Sequence, residues 1–245
     1  MVKRFRMIAG PNGSGKSTLV ARLRDEYAVN FYDFLNADDI LSAVRRDGVY
    51  LPRFPVEQSE LVAYAESSGY GDSVRRVFRQ SEICVDGDCV RFLPQAVNSY
   101  TIALLTNFLQ DAAIRRGLSF SQETVFSHPS KVEALKRAVT AGYRTYLYFV
   151  ATESPQINVG RVANRKLQGG HDVPSGKVVA RYARSLAQVK EALPYLSRAY
   201  FFDNSASEMT YLGQYSKESE VLQEETSSKW PDWFRQLGIG ESHVG

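Results

Sequence analysis

Little in this chain supports an extracellular, membrane-spanning or metal-centred protein. Two cysteines in 245 residues cannot build a disulfide framework, and their spacing in "EICVDGDCVRF" is not that of a zinc site. A turn at Asp86-Gly87 would set Cys84 opposite Cys89 across a hairpin. A bridge there is geometrically open, while two reduced thiols are the ordinary expectation. No apolar run approaches the roughly 18 residues that cross a bilayer. Basic Lys3, Arg4 and Arg6 are followed at once by a strand-like run, not by a signal-peptide core. The expected compartment is therefore the cytoplasm, with no membrane partner. Acidic and basic residues nearly balance, 27 against 30, and the net +3 argues against a dedicated nucleic-acid binder. Internal repeats, low-complexity tracts, the guanine-reading motifs of switch GTPases and the hydrophobic strand ending in Asp-Glu of energy-transducing ATPases are all missing.

What is present begins at residue 4, with "RFRMIAGPNGSGKSTLVARL". Gly10, Pro11, Asn12, Gly13, Ser14, Gly15, Lys16 and Ser17 fit G-x-x-x-x-G-K-[ST], the loop whose backbone N–H groups converge on phosphates at a helix N-terminus. Residues 5–9 suit a buried parallel strand, and residues 17–23 suit the helix that follows. In that context Lys16 reaches the β- and γ-phosphates, and the Ser17 hydroxyl ligates Mg²⁺, with Thr18 beside it. The expected cofactors are ATP or GTP with magnesium.

Strand-like runs recur at residues 31–35, 118–126, 143–151 and 198–202, each leading into a helical pattern or loop. The alternation predicts an α/β fold with a five-stranded parallel sheet and helices on both faces. Residues 45–117 break the rhythm and read as a mostly helical insertion on the substrate side. Residues 1–205 form the expected core, residues 157–192 an arginine-rich lid region, and residues 206–245 a polar tail in which "KWPDWFRQLG" suggests a short docked helix.

Ligands of open α/β sheets sit beyond the carboxyl ends of the strands, so the polar residues there choose the chemistry. The second strand is followed by "NADD", the third contains "QETVFS", and the fifth ends in "DNS". Phosphoryl transfer to an alcohol needs a carboxylate for the hydroxyl proton and cations for the moving charge. Asp38 is the candidate base. It competes with a helix-capping role, and Asp39 competes for both jobs. Glu123 is a candidate acceptor contact, with Thr124 and Ser127 on the same segment, and Asn204 lies where a nucleotide would pass. Arg161 and Arg165 share a helix face, and Arg181 and Arg184 lie on the next helix around "GGHDVP". This is the pattern of a mobile lid carrying guanidiniums, set against the ordinary alternative of a solvated basic face.

The ordered run "AGPNGSGKST … NADDI … ETVFS … GYRTYLYFV … INVGRVANR … GGHDVP … RYARSL … FFDNS" resembles the zeta-toxin family of P-loop kinases from about residue 4 to 205. The resemblance implies a nucleotide-kinase type of P-loop NTPase fold. It also implies phosphorylation of a sugar hydroxyl on a nucleotide sugar such as UDP-N-acetylglucosamine, and a neutralising antitoxin as a partner beside the small-molecule hydroxyl acceptor. It places the family's base on Asp38, its substrate-contacting acid on Glu123 and a γ-phosphate arginine on Arg161. A second lid arginine falls on Arg165 or Arg181. Val125 stands where relatives often have a polar Thr, and residues 45–117 match weakly, so the acceptor is less closely implied than the chemistry.

Overall fold

The computed structural model describes residues 2–169, 173–218, 222–224 and 230–239. In chain order the first elements are β1 (Arg4–Ala9), α1 (Lys16–Asp25), β2 (Asp33–Leu35), α2 (Ala37–Asp47), β3 (Val49–Tyr50), α3 (Gln58–Ser67), α4 (Asp72–Arg79), β4 (Ile83–Asp86), β5 (Cys89–Phe92) and α5 (Ser99–Arg116). They are followed by β6 (Phe120–Thr124), α6 (Ser130–Thr140), β7 (Arg144–Ala151), α7 (Pro155–Leu167), α8 (Ser175–Ala192), β8 (Arg198–Asp203), β9 (Thr210–Ser216), β10 (Leu222–Glu224) and α9 (Asp232–Arg235). Backbone contacts separate two units, Met1–Tyr32 with Ser121–Gly245, and Asp33–Phe120.

The first unit is built on a sheet in the order β10-β9-β8-β7-β1-β6. Its centre is parallel, with Met7 level with Leu147 and Leu147 with Ala199. These strands are near-continuous apolar runs because both faces are covered: Phe5, Met7, Leu147, Phe149 and Phe201 have no exposed surface. The expected sheet was wholly parallel and ended at residue 202. Instead β9 pairs antiparallel with β8, and β10 antiparallel with β9. The segment read as a polar tail therefore extends the sheet. Its alternation was easy to pass over because only Leu212 and Gly213 of β9 are buried, while its other five residues are half-buried or exposed. The docked helix is α9. It buries Trp233 and Phe234, whose rings lie 5.8 Å from Phe149 and 5.1 Å from Phe201 respectively.

The second unit holds β2 and α2 together with the whole of residues 45–117. Its helices surround a long core helix: α5 begins in a capping box at Asn98 and Thr101 and ends at Gly117, φ 69°. The insertion is not only helical, since β3, β5 and β4 form a small antiparallel sheet. In its hairpin Cys84 faces Arg91, and Asp86 faces Cys89. The turn is thus Gly87-Asp88, one residue later than expected, with Gly87 at φ 59° where a two-residue turn needs the left-handed region. Cys84 and Cys89 do not oppose each other, and both are free thiols.

The strand expected from residue 31 starts only at Asp33. Tyr32 lies at φ 54°, and its N–H donates to Asn30 Oδ1 at 2.8 Å, so the chain turns before it extends.

Candidate active site

The carboxyl ends of β7 and β8 finish level, with Ala151 beside Asp203, and β1 ends two residues earlier, with Ala9 beside Phe149. The loops that leave this edge are tied to one another. Gly10 N donates to Thr124 O at 3.3 Å, and Asn204 N donates to Ala151 O at 2.8 Å. Gly10 to Ser17 follow β1 directly, and α1 starts at Lys16 with Gly15 as its cap at φ 96°. Gly13 is also left-handed, φ 79°, and a Cβ on it would sit 2.7 Å from the Asn158 carbonyl. Only glycine permits that backbone and that approach of α7.

Inside the loop Ser14 N and Lys16 Nζ both donate to Pro11 O, at 3.2 and 3.1 Å. Asn204 Nδ2 donates to Ser14 O at 2.9 Å, which pins the loop to the end of β8. The Ser14 hydroxyl is buried without a partner among the described residues. The first N–H groups of α1 point out of the helix, because a helix start has no carbonyls behind it. Together these features form an anion cradle at a positive helix end. Ser17 and Thr18 are exposed on the first turn. No cluster of three metal-ligating side chains occurs among the described residues.

Two of the arginines meet this region. The Arg181 guanidinium on α8 donates to Asn12 Oδ1 in the loop at 3.2 Å. Arg161 on α7 donates to Ala206 O at 3.4 Å, just beyond Asn204, while its Nη1 is buried with no partner among the described residues. A buried guanidinium N–H without an acceptor is costly and marks a place where an anion would be welcome. Arg165 and Arg184 are exposed. Gly170, His171 and Asp172 of "GGHDVP" lie outside the described residues.

The loop's surroundings depend on residues the sequence reading passed over. Thr152 Oγ donates to Asn158 Oδ1 at 2.6 Å, Tyr182 Oη donates to Thr152 O at 2.5 Å, and Ser185 Oγ donates to Val125 O at 2.6 Å. Asn158 is wholly buried, with its Nδ2 unsatisfied. No local signal separates such an Asn from a surface one; only its approach to Gly13 does. On β6, Glu123 and Thr124 are half-buried, as is Ser127 beyond the strand. Thr124 Oγ accepts from Phe126 N at 3.2 Å, and Phe126 is a buried residue at φ 60°. A bulky residue held left-handed stores strain, and such strain concentrates at functional sites.

In the second unit the competition at the start of α2 has a clear outcome. Asn36, not Asp38, caps the helix, its Oδ1 accepting from Asp38 N at 2.9 Å. The Asp38 and Asp39 side chains are both exposed in the first turn. Desolvation lifts Asp39 above the ordinary carboxylate value, and the charge of Asp38 adds to it.

Residues 6–189 match the AAA domain family AAA_33. The chain belongs to that family. Its architecture is the α/β P-loop NTPase fold, with a mostly parallel sheet and flanking helices. An uncharacterized protein of Haemophilus influenzae is 27% identical over 133 residues, which covers 52% of this chain and 95% of that protein. The crystal structure of AvrRxo1-ORF1:-ORF2 with ATP is similar at 12% identity and TM-score 0.55, over 100% of this chain and 66% of that one. The PezAT chromosomal toxin-antitoxin system of Streptococcus pneumoniae is similar at 11% identity and TM-score 0.52, over 100% of this chain and 80% of that one. At these identities the likeness to solved structures is one of fold.

Proposed function

We propose that this chain is an ATP-dependent P-loop kinase that transfers a γ-phosphoryl group to a hydroxyl of a small molecule. The observation that carries the reading is the contact of Arg181 with Asn12 of the phosphate loop. It brings a guanidinium from a separate helix to the loop that would grip the nucleotide, where transferring charge must be offset. The unpartnered N–H of Arg161 supports the same reading from the neighbouring helix. Lys16 and the loop N–H groups would hold the β- and γ-phosphates. Magnesium, held through Ser17, would neutralise phosphate charge. Asp38, released from capping by Asn36, is the proposed base: it takes the acceptor's proton as the hydroxyl oxygen attacks phosphorus and ADP departs. Glu123, Thr124 and Ser127 are the proposed acceptor contacts, Asn204 a loop and nucleotide contact, and Arg181 rather than Arg165 the second lid arginine.

The resemblance to zeta toxins makes a nucleotide sugar, UDP-N-acetylglucosamine first, the acceptor to try. It also makes an antitoxin-like protein the partner to look for, as in the PezAT system. Incubation with Mg-ATP and UDP-N-acetylglucosamine, followed by mass spectrometry, should show a product heavier by one phosphoryl group, and Glu123→Ala should lose that product while still binding ATP. An unmodified sugar nucleotide beside ATP consumption on another alcohol would remove this acceptor and keep the kinase. ATP binding with no transfer to any alcohol would make the chain a nucleotide-dependent binding module instead.

A further inference from the structure

The amino ends of the same strands carry a second cluster that phosphoryl transfer leaves unused. A hollow of about 600 Å³ is lined by Arg144 and Tyr146 of β7, Ser197 and Arg198 at the start of β8, and Lys217 and Glu218 just past β9. Its size falls in the range of small-molecule sites. Alternation along the strands puts residues 144 and 146 on one face. The register sets Arg198 level with Tyr146, so Arg144 and Arg198 lie on one face, and Lys217 joins them from just past Ser216, the residue level with Arg198. Along β1 and β7 this end lies about 15–20 Å from the phosphate loop at a strand rise of ~3.3 Å per residue. An ion at one end does not touch the other.

The hollow is strongly cationic. Three cationic side chains face one carboxylate, Glu218, among the residues that line it. Arg144, Arg198 and Lys217 are exposed, and among the described residues none of them makes an ion pair with a carboxylate. A further charge sits behind the wall. The Arg6 guanidinium lies 5.0 Å from the Tyr32 ring and 5.3 Å from the Tyr146 ring, with Nε and Nη1 buried and without a hydrogen-bond partner among the described residues. Like charges gathered at one concave place focus a positive field. A neutral donor is available as well: Ser197 Oγ accepts from Thr145 N at 3.2 Å and keeps its own O–H to give, while the Lys217 ammonium uses only one N–H on Pro194 O at 3.1 Å.

We propose that this hollow is a second anion site that binds a phosphate-bearing small molecule, clasped by Arg144, Arg198 and Lys217 with the Tyr146 ring as its wall. Arginine forks match tetrahedral oxyanions bidentately, and a doubly charged phosphate balances the excess of cations over Glu218. The volume exceeds what a bare ion needs, which leaves room for a second phosphate or for a nucleoside.

The test is calorimetric titration of two probes, inorganic pyrophosphate and ADP, into Lys16→Ala protein, in which the loop at the other end is impaired. The same titrations are run on Lys16→Ala carrying Arg144→Ser and Arg198→Ser. Both arginines are exposed, and Lys217→Glu in the same background gives an independent reading should the double change disturb folding. The site predicts saturable binding of at least one probe, weakened about tenfold or more by the arginine changes and by Lys217→Glu, as expected for loss of charge-assisted hydrogen bonds. Pyrophosphate alone identifies a polyphosphate site, and ADP alone identifies a nucleotide site. Absence of binding by both probes, or binding indifferent to Arg144, Arg198 and Lys217, overturns the proposal.

Discussion

Asn36 and Asp38 stand two residues apart at the start of α2, one the helix cap and the other the proposed base. Asn36 satisfies a backbone N–H, so Asn36→Ala should lower stability by about 1 kcal/mol. Asp38→Asn should leave stability unchanged and slow turnover by roughly two to four orders of magnitude, as for loss of a general base. Denaturant titration and steady-state kinetics on the two variants separate the roles; an active Asp38→Asn enzyme with an inactive Asp39→Asn would move the base by one residue. Among the arginines, Arg181→Ala and Arg161→Ala should depress kcat far more than they weaken ATP binding, while Arg165→Ala should do less. Equal kinetics in all three variants would return them to a solvated face. The sequence could narrow these choices but not close them. Asp38 and Asp39 are equivalent in a pattern, as are Arg165 and Arg181 by helical spacing. What sets Arg181 apart from Arg165 is its contact with Asn12, and such contacts are set by tertiary packing.

The helices α7 and α8 are fixed to the sheet edge by polar anchors: Asn158 on Thr152, Tyr182 on the Thr152 carbonyl, and Ser185 on the Val125 carbonyl. Burial raises Tyr182 to about 12, and it likewise raises Tyr143 and Tyr148 to about 12. An unfolded tyrosine ionises near 10. Above that pH the unfolded state has lost protons that the folded state still holds, so the contribution of these tyrosines is complete below pH ~10 and falls away between about 10 and 12. Chemical denaturation at rising pH should show stability dropping in that window, with phenolate absorbance from these residues appearing only on unfolding. Replacing all three by Phe should flatten the drop. At this scale the sequence was most legible where periodicity was strong. Burial on both faces made residues 147–151 of β7 an unbroken apolar run, and Gly117 and Gly142 marked the ends of α5 and α6. It was least legible in the hairpin, where Gly87 could occupy either central turn position and the choice moved the cysteines out of register.

Across the whole molecule the core fold follows from alternating strands and helices, and it was legible before any contact was known. The end of the chain was not. Its strands β9 and β10 are partly polar and paired through backbone groups, which leave little trace in composition. Yet this segment closes the sheet and carries Trp233, which is 2% exposed and donates from Nε1 to Asp203 Oδ1 at 2.9 Å. Trp233→Ala should therefore cost about 3–5 kcal/mol, visible as a large fall in melting temperature. A variant as stable as the parent would show that the segment is an appendage after all. The central claim, that the loop, the acids and the arginines together move a phosphoryl group to an alcohol, is tested most directly with γ-labelled ATP. The label is followed into the alcohols of a small-molecule extract, with parent protein and with Lys16→Ala. Label in an alcohol acceptor with the parent and none with Lys16→Ala is the predicted result; release of label as free phosphate alone, or equal transfer by Lys16→Ala, would contradict it.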